Sequence, residues 1–176
     1  MGNVYLRQLA VSDRNDMLEW MKDPSVNQWF QFDTGKATIE SVTKFITENR
    51  EPKASPRNVH YAICAESDEY CGTVSLKNID YASKNADFAI ALRSKMQGQE
   101  IGYLATKAIL RYAFQDLHLH KVYLNVLSHN QKAIRFYEKI GFVYEGESID
   151  HVYKNGEYYS LKWYRMLERD YKERME

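Results

Sequence analysis

A tyrosine at helical spacing from an asparagine and an alanine marks the stretch 129–142 as a candidate site. Asn130, Ala133, Tyr137 and Gly141 follow one another at intervals of three, four and four residues, which places them on one face of a predicted helix. The small side chain of Ala133 leaves room for a ligand, and a phenol that keeps its proton at neutral pH can donate it to a leaving group. The stretch therefore predicts a proton donor at Tyr137. The alternative is a tyrosine that packs on a sheet, with its hydroxyl bonded to a backbone carbonyl.

A second candidate stretch, 97–102, lies between a predicted strand and a predicted helix and contains Gly98 and Gly102. Backbone N–H groups at the N-terminus of a helix bind anions, and glycine lets a phosphate group approach the backbone closely. The stretch therefore predicts a phosphate site. The alternative is that the two glycines only permit a turn and close helix packing.

The elements that must position these stretches alternate between strands and helices. Strands are predicted near 4–9, 59–65, 70–76, 87–92 and 121–127, and a final hairpin over 142–167 turns at Asn155-Gly156. Helices are predicted near 12–23, 38–49, 101–115 and 130–141, followed by a short charged helix over 168–176. The segment 51–58 is predicted to be a loop and is too short to link two domains. This order predicts one α/β domain over residues 1–176.

The composition excludes several classes of protein. The 24 lysines and arginines balance the 24 aspartates and glutamates, so no overall field attracts nucleic acid or a membrane surface, and neither is expected as a partner. No apolar run approaches the roughly 18 residues of a membrane-spanning helix, and the N-terminus lacks a secretory pattern, so we expect a cytoplasmic protein. The five histidines have no metal-ligand spacing, and no metal is expected. Cys64 and Cys71 face each other in a predicted hairpin, yet free buried thiols fit a reducing compartment better.

Together the two stretches resemble the signatures of the GCN5-related N-acetyltransferase (GNAT) superfamily. The later signature, Asn-x-x-Ala-x-x-x-Tyr-x-x-x-Gly-Phe, matches at Asn130, Ala133, Tyr137, Gly141 and Phe142. The earlier signature, Gln/Arg-x-x-Gly-x-Gly/Ala, matches at Gln97 and Gly102 and departs at Glu100, where the family usually has glycine. The order of elements fits this superfamily over about the whole chain.

The resemblance implies a GNAT fold, in which a mixed, mostly antiparallel sheet of six or seven strands has a V-shaped split between strands 4 and 5. Four helices and a short C-terminal helix would flank this sheet. The resemblance also implies acetyl-CoA as the cosubstrate, bound in the split. The pantetheine arm would bond backbone groups of Ile90, Ala91 and Leu92, with Asn130 and Ala133 on its far side. The diphosphate would bind the stretch made of Gln97, Gly98, Gln99, Glu100, Ile101 and Gly102.

In this scheme Tyr137 would protonate the departing thiolate, and a backbone N–H near Ala91 or Leu92 would stabilise the oxyanion. The carboxylate of Glu100 would compete with the diphosphate for the positive end of the helix unless it turns to solvent. The attacking amine must arrive neutral, so a base is expected. Asp87, in the fourth strand, is one candidate, and an ordinary carboxylate at a strand edge is the alternative. His60 is a second candidate because an imidazole titrates near neutral pH, although a lone histidine in a strand is more often structural.

The resemblance also implies that the acceptor pocket includes the loop between the first two helices, which carries Trp29, Phe30 and Phe32. These rings form either a flat wall for a sugar or nucleobase or a cover over the core. Short patterns in 18–30 and 71–90 resemble acetyltransferases of nucleotide-linked amino sugars, so a nucleotide-linked 4-amino-sugar is the expected small-molecule acceptor. A protein N-terminus, as in ribosomal-protein acetyltransferases, and a polyamine are the alternatives. The acidic side chains of Glu145, Glu147 and Asp150 would serve a polyamine, or else line a solvated hairpin edge.

A domain that keeps the fold but only binds acyl-CoA is the alternative from another class. An intact pair of Asn130 and Tyr137 argues against it, because a pure binder needs no proton donor at the sulfur. Dimers are common in this group, so the resemblance is compatible with a homodimer.

Overall fold

One seven-stranded sheet runs through the computed structural model, which describes residues 4–51 and 56–175. The strands are β1 (Tyr5–Gln8), β2 (Val59–Cys64), β3 (Tyr70–Asp80), β4 (Asn85–Leu92), β5 (Lys121–Leu127), β6 (Val143–Lys154) and β7 (Glu157–Leu167). They lie in the order β1-β2-β3-β4-β5-β7-β6. Neighbouring strands are antiparallel except β4 and β5, which are parallel. Residues 52–55 of the predicted loop lie outside the described residues.

Within the same residues, six α-helices flank the sheet: α1 (Arg14–Lys22), α2 (Pro24–Asn27), α3 (Ile39–Asn49), α4 (Ile101–Arg111), α5 (Gln131–Ile140) and α6 (Glu168–Met175). Local sequence explains where they begin. Pro24 opens α2, where a missing N–H costs nothing, and the Asp23 side chain accepts a bond from the Ser25 amide at 2.9 Å. Thr38 caps α3 by accepting from the Ser41 amide at 3.2 Å. None of the described helices is long and apolar enough to cross a membrane.

The helices divide between the two faces of the sheet. Ile109 of α4 and Ile134 of α5 share a core cluster with Phe88 of β4, and α6 contributes to the same cluster. Trp20 of α1 and Ile46 of α3 form a second cluster with residues of β2 on the other side. We call these sides the α4 face and the α1 face. Since successive residues of a strand point to opposite faces, strands such as β2 and β3 supply residues to both cores.

The split that the resemblance implied lies between β4 and β5. The two parallel strands pair only over residues 85–87 of β4 and 121–123 of β5. Beyond these residues β4 stays bonded to β3, and β5 stays bonded to β7. The sheet therefore opens into two halves along the last part of β4, and the predicted fold class is confirmed.

Four details differ from the sequence prediction. The short helix α2 (Pro24–Asn27) lies where a loop was predicted after the first helix, so six α-helices among the described residues replace the five expected. Strand β3 runs on to Asp80 and β4 begins at Asn85, so a tight turn replaces the longer connection predicted there. The helix predicted over 101–115 is α-helical to Arg111 and then widens into a π-helical turn. Cys64 and Cys71 are buried and free, as predicted, but they do not face each other. Cys64 belongs to the core on the α1 face and Cys71 to the core on the α4 face.

Candidate active site

The split opens just past Asp87 and Tyr123, the last residues at which β4 and β5 pair. From Phe88 to Leu92, β4 remains paired with β3 along one edge, while its other edge faces the opening. Backbone N–H and C=O groups are strong hydrogen-bonding groups, so this free edge can bond an extended ligand. The segment 90–92, predicted to hold a pantetheine arm, lies along this edge.

Tyr137 lies at the narrow end of the opening, on the α4 face. Its ring packs edge-on against Phe88 at a centroid distance of 6.1 Å and against Phe142 at 5.9 Å. Its hydroxyl has no hydrogen-bond partner among the described residues. Every side-chain oxygen that is fully buried among these residues does have a partner. The hydroxyl oxygen of Tyr137 is therefore accessible to solvent. Burial and the negative charge of Asp87 raise the pKa of Tyr137, so the phenol keeps its proton at neutral pH. The alternative of a hydroxyl tied to a backbone carbonyl is not observed.

The two ends of α5 fix the other residues of this helix face. Asn130 is almost fully buried and caps the helix by accepting a hydrogen bond from the Ala133 amide at 3.1 Å. Gly141 ends the helix with a φ of 114°, a left-handed conformation that suits glycine. Asn130 and Tyr137 are thus held about 10 Å apart along the helix axis. One extended ligand arm in the split can contact both.

The loop from 97 to 102 leads directly into α4. Gly98 has a φ of 80°, and a Cβ added there would meet no atom within 4 Å, so the space beside it is open. Glu100 adopts a left-handed backbone with a φ of 60°, and its side chain is exposed rather than turned into the loop. Gly102 packs so closely that an added Cβ would lie 3.2 Å from Cδ1 of Leu92. Gly98 therefore fits a phosphate contact, whereas Gly102 fits close helix packing.

Lys132 was not among the residues predicted from the sequence, yet it lies at this loop. From the first turn of α5 its ammonium group donates to Oε1 of Gln97 at 2.7 Å, which brings a cation to the candidate phosphate site. Ile101 is buried in the core, and the Gln99 side chain donates to a neighbouring backbone carbonyl at 2.8 Å. Ile101 can therefore offer a ligand only its backbone groups, whereas Gln99, whose side chain is exposed, can also offer its amide. The charge of Lys132 is visible in the sequence, but its reach to Gln97 depends on how α5 packs.

Asp87 lies at the same narrow end of the split, on the α1 face. Strand alternation turns Asp87 and Phe88 to opposite sides of the sheet, and Tyr123 lies beside Asp87 on β5. Lys77 of β3 forms a salt bridge with Asp87 at 3.0 Å. Burial raises the pKa of Asp87 by more than Lys77 lowers it, so this carboxyl is a stronger base than an ordinary aspartate. Asp87 and Tyr137 therefore approach the end of the split from opposite faces.

The three aromatic residues predicted to bind the acceptor have different surroundings. Phe30 packs on Trp20 at 5.5 Å and covers the core of the α1 face. Phe32 is 61% exposed, and Trp29 is 36% exposed and stacks on His129 at 5.5 Å. Phe30 thus matches the core alternative, while Phe32 and Trp29 remain available to a ligand.

The structure does not bring His60 to the split. Its Nδ1 atom is 2.7 Å from Oγ of Ser75, and its ring meets Phe45 of α3 edge-on at 4.9 Å. His60 lies on β2, two strand spacings or about 10 Å from β4. Burial, followed by the charge of Lys77, lowers the pKa of His60 to about 4. These contacts match the structural alternative.

The acidic hairpin residues are only partly free to meet a cation. Glu145 accepts from Lys121 at 2.8 Å and lies 3.7 Å from Arg165, so its charge is already compensated. Glu147 contacts the Ser128 hydroxyl, and Asp150 is exposed. Among the described residues, no group of three or more His, Cys, Asp or Glu side chains is placed to hold a metal ion.

A split flanked by the exposed candidate phosphate loop and by the half-buried Tyr137 is the arrangement that the sequence resemblance implied. The model of the acetyltransferase (GNAT) domain family matches residues 3–143. The chain therefore belongs to the GNAT acetyltransferase family, whose members use acetyl-CoA.

Individual relatives differ in the amine they acetylate. The chain is 29% identical to a spermidine N(1)-acetyltransferase of Vibrio cholerae over 165 residues, which cover 94% of this chain and 87% of that protein. It is 24% identical over 94 residues to the [ribosomal protein uS5]-alanine N-acetyltransferase of Escherichia coli, covering 53% of this chain and 48% of that protein. A crystal structure of the Vibrio cholerae spermidine N-acetyltransferase with CoA and spermine matches with a TM-score of 0.86 and 24% identity, over 96% of this chain and 98% of that one. This last likeness shows the shared fold.

Proposed function

We propose that the protein transfers the acetyl group of acetyl-CoA to a primary amine of a polyamine such as spermidine. The observation that carries the mechanism is the position of Tyr137 and Asp87 on opposite faces of the sheet at the end of the split. The acceptor class is supported by the relative from Vibrio cholerae, a spermidine N(1)-acetyltransferase that matches nearly the whole chain. A polyamine is therefore better supported than the nucleotide-linked amino sugar expected from the sequence.

In the proposed complex, acetyl-CoA lies in the split with its diphosphate at the loop 97–102. The open space beside Gly98 and the outward side chain of Glu100 leave the backbone amides at the start of α4 accessible to an anion. The pantetheine arm runs between the free edge of β4 and Asn130. The thioester then reaches the end of the split, next to Tyr137.

The chemistry follows from the groups at that end. The amine nitrogen attacks the thioester carbon, and negative charge builds on the carbonyl oxygen, where an N–H of the free β4 edge can stabilise it. Asp87 takes the proton that the amine loses as the N–C bond forms. The C–S bond breaks, and Tyr137 gives its proton to the departing sulfur. The products are the acetylated amine and the thiol of CoA.

The surroundings of Asp87 suit a long, flexible amine through aromatic side chains rather than through a high negative charge. Lys77 pairs with Asp87, so the site is not strongly acidic. Tyr123 and Trp163 lie on the same face with ring centroids 6.4 Å apart, and aromatic faces attract ammonium groups. A polyamine chain would therefore bind chiefly through aromatic contacts, and Asp87 would contact the nitrogen that reacts.

Release of thiol from acetyl-CoA tests this function directly. The acceptors compared are spermidine, a nucleotide-linked 4-amino-sugar, a peptide with N-terminal alanine, and buffer alone. We expect the highest kcat/KM with spermidine. A higher value with the sugar nucleotide or the peptide would overturn the acceptor class and leave the mechanism intact. Binding of acetyl-CoA by calorimetry without release in any reaction would support the non-catalytic module instead.

A further inference from the structure

One short segment crosses the split on the side of Asp87. We call residues 27–32 the strap. The strap begins at the last residue of α2, a helix that packs on the first half of the sheet, but its contacts reach the second half. The Gln31 side chain contacts the Asn125 side chain, and Asn125 lies two residues beyond Tyr123 on β5. Because residues two apart on a strand share a face, Asn125 points to the same side as Tyr123 and Asp87. The strap therefore lies over the opening on the α1 face.

Lys154, the last residue of β6, holds the strap from the closing hairpin. Its Nζ donates to the backbone carbonyls of Asn27 at 3.2 Å, Gln28 at 3.1 Å and Phe30 at 2.8 Å. An ammonium group has three N–H donors, so one side chain can satisfy all three carbonyls. Hydrogen bonds from a charged donor are stronger than neutral ones. These bonds join segments more than 120 residues apart in the chain.

A stack of three rings joins the strap to the turn before α5. His129 lies between Trp29 of the strap, at 5.5 Å, and Tyr159 of β7, at 5.2 Å. His129 directly precedes Asn130, the N-cap of α5 and a candidate cofactor residue. The strap is thus fixed at one point by Lys154 and at a second point beside the cofactor side of the split.

We propose that Lys154 is a positioning residue for the acceptor, which holds the strap as the wall of the acceptor site between Asp87 and solvent. Lys154 lies in the hairpin and acts through the strap backbone, so it needs no contact with the reacting atoms. This role depends on the proposed function only in assigning the acceptor to the α1 face. Loss of the ammonium group should loosen the strap and weaken acceptor binding, while the acetyl-CoA side remains intact.

The test compares Lys154→Met, Lys154→Arg and Lys162→Met with the wild type. Lys162 is a matched control, because it lies on the same hairpin with its Nζ 6.0 Å from the centroid of the Tyr144 ring, away from the strap. Two readouts are needed: hydrogen exchange of the amides in residues 27–32 without any acceptor, and the KM values for acetyl-CoA and for the best acceptor. Thermal unfolding of each variant confirms that it is folded.

We expect Lys154→Met to speed exchange in the strap and to raise the acceptor KM about tenfold, with the acetyl-CoA KM unchanged. Lys154→Arg should largely keep the wild-type exchange rate and the wild-type acceptor KM, because it retains a charged donor. Lys162→Met should match the wild type in both measurements. Unchanged exchange in Lys154→Met would overturn the proposal, as would faster exchange with an unchanged acceptor KM. The exchange readout needs no acceptor, so failure with spermidine alone would reject the polyamine assignment and not the role of Lys154.

Discussion

The two faces of the split are assembled in different ways. On the α4 face, the candidate cofactor residues come from two continuous stretches, 97–102 and 130–142, whose geometry is set by a cap, helix spacing and left-handed backbone positions. On the α1 face, Asp87 meets Lys77 and Tyr123 through the register of three strands, and Lys154 reaches the strap from the far end of the chain. The candidate cofactor side is therefore encoded locally, whereas the proposed acceptor side depends on the assembled fold. This difference explains why a sequence pattern indicates acetyl-CoA more clearly than it indicates the amine.

Replacing Tyr137 with phenylalanine should have the largest effect on the cofactor side. The variant keeps the ring contacts with Phe88 and Phe142 but lacks the proton for sulfur, so kcat should fall by about 10²–10⁴-fold. The acetyl-CoA Kd should stay the same. Steady-state thiol release and calorimetry measure the two quantities. A normal kcat would show that sulfur leaves without this proton donor.

A second prediction tests whether His60 contributes to stability and not to acceptor binding. Because its pKa is lowered to about 4 in the folded protein and is about 6.5 in an unfolded chain, the unfolded state binds the proton first. Its contribution to stability is therefore complete above about pH 6.5 and is lost as the pH falls toward 4, by up to about 3 kcal/mol. Urea unfolding of the wild type and His60→Gln at several pH values should show a weaker acid dependence in the variant. The acceptor KM of His60→Gln should equal that of the wild type. A rise in the acceptor KM alone would show that His60 belongs to the acceptor site.

The phosphate loop offers a test with a matched control. Gly98→Val forces a branched side chain into a left-handed backbone, at a strain of about 1–2 kcal/mol, and should raise the acetyl-CoA Kd about tenfold. Gly156 in the hairpin turn has a similar φ of 85° and equally open space, so Gly156→Val carries the same strain away from the loop. Calorimetry with acetyl-CoA compares the two variants. Equal acetyl-CoA affinities in the two variants would contradict the placement of the diphosphate at this loop.

Glu100 should give the smallest effect. Its exposed carboxylate lies at the positive end of α4 and opposes a bound anion, a contribution of about 0.3–1 kcal/mol. Glu100→Gly should therefore tighten acetyl-CoA binding by about two- to fivefold. Weaker binding in this variant would show that the side chain helps to shape the loop.

For physical reasons, the sequence predicted the fold and indicated candidate cofactor residues more clearly than acceptor residues. Helix spacing and glycine conformation act within a few residues, so the face that carries Tyr137 and the loop around Gly98 could be recognised directly. Lys132 and Lys77 were missed because their partners, Gln97 and Asp87, are determined by helix packing and strand register. The contacts between the strap and Lys154 were missed for the same reason, because they join residues that are more than 120 positions apart in the sequence.

The most direct measurement is the pH dependence of kcat with spermidine for the wild type, Asp87→Asn and Tyr137→Phe, between about pH 5 and 9. Asp87 must be ionised to accept the proton of the amine, so wild-type kcat should fall as the pH drops through its raised pKa. Asp87→Asn should be about 10²-fold slower and should lack this acid limb, whereas Tyr137→Phe should be slower but keep it. An acid limb that survives in Asp87→Asn, or disappears in Tyr137→Phe, would contradict the placement of base and acid on opposite faces of the split.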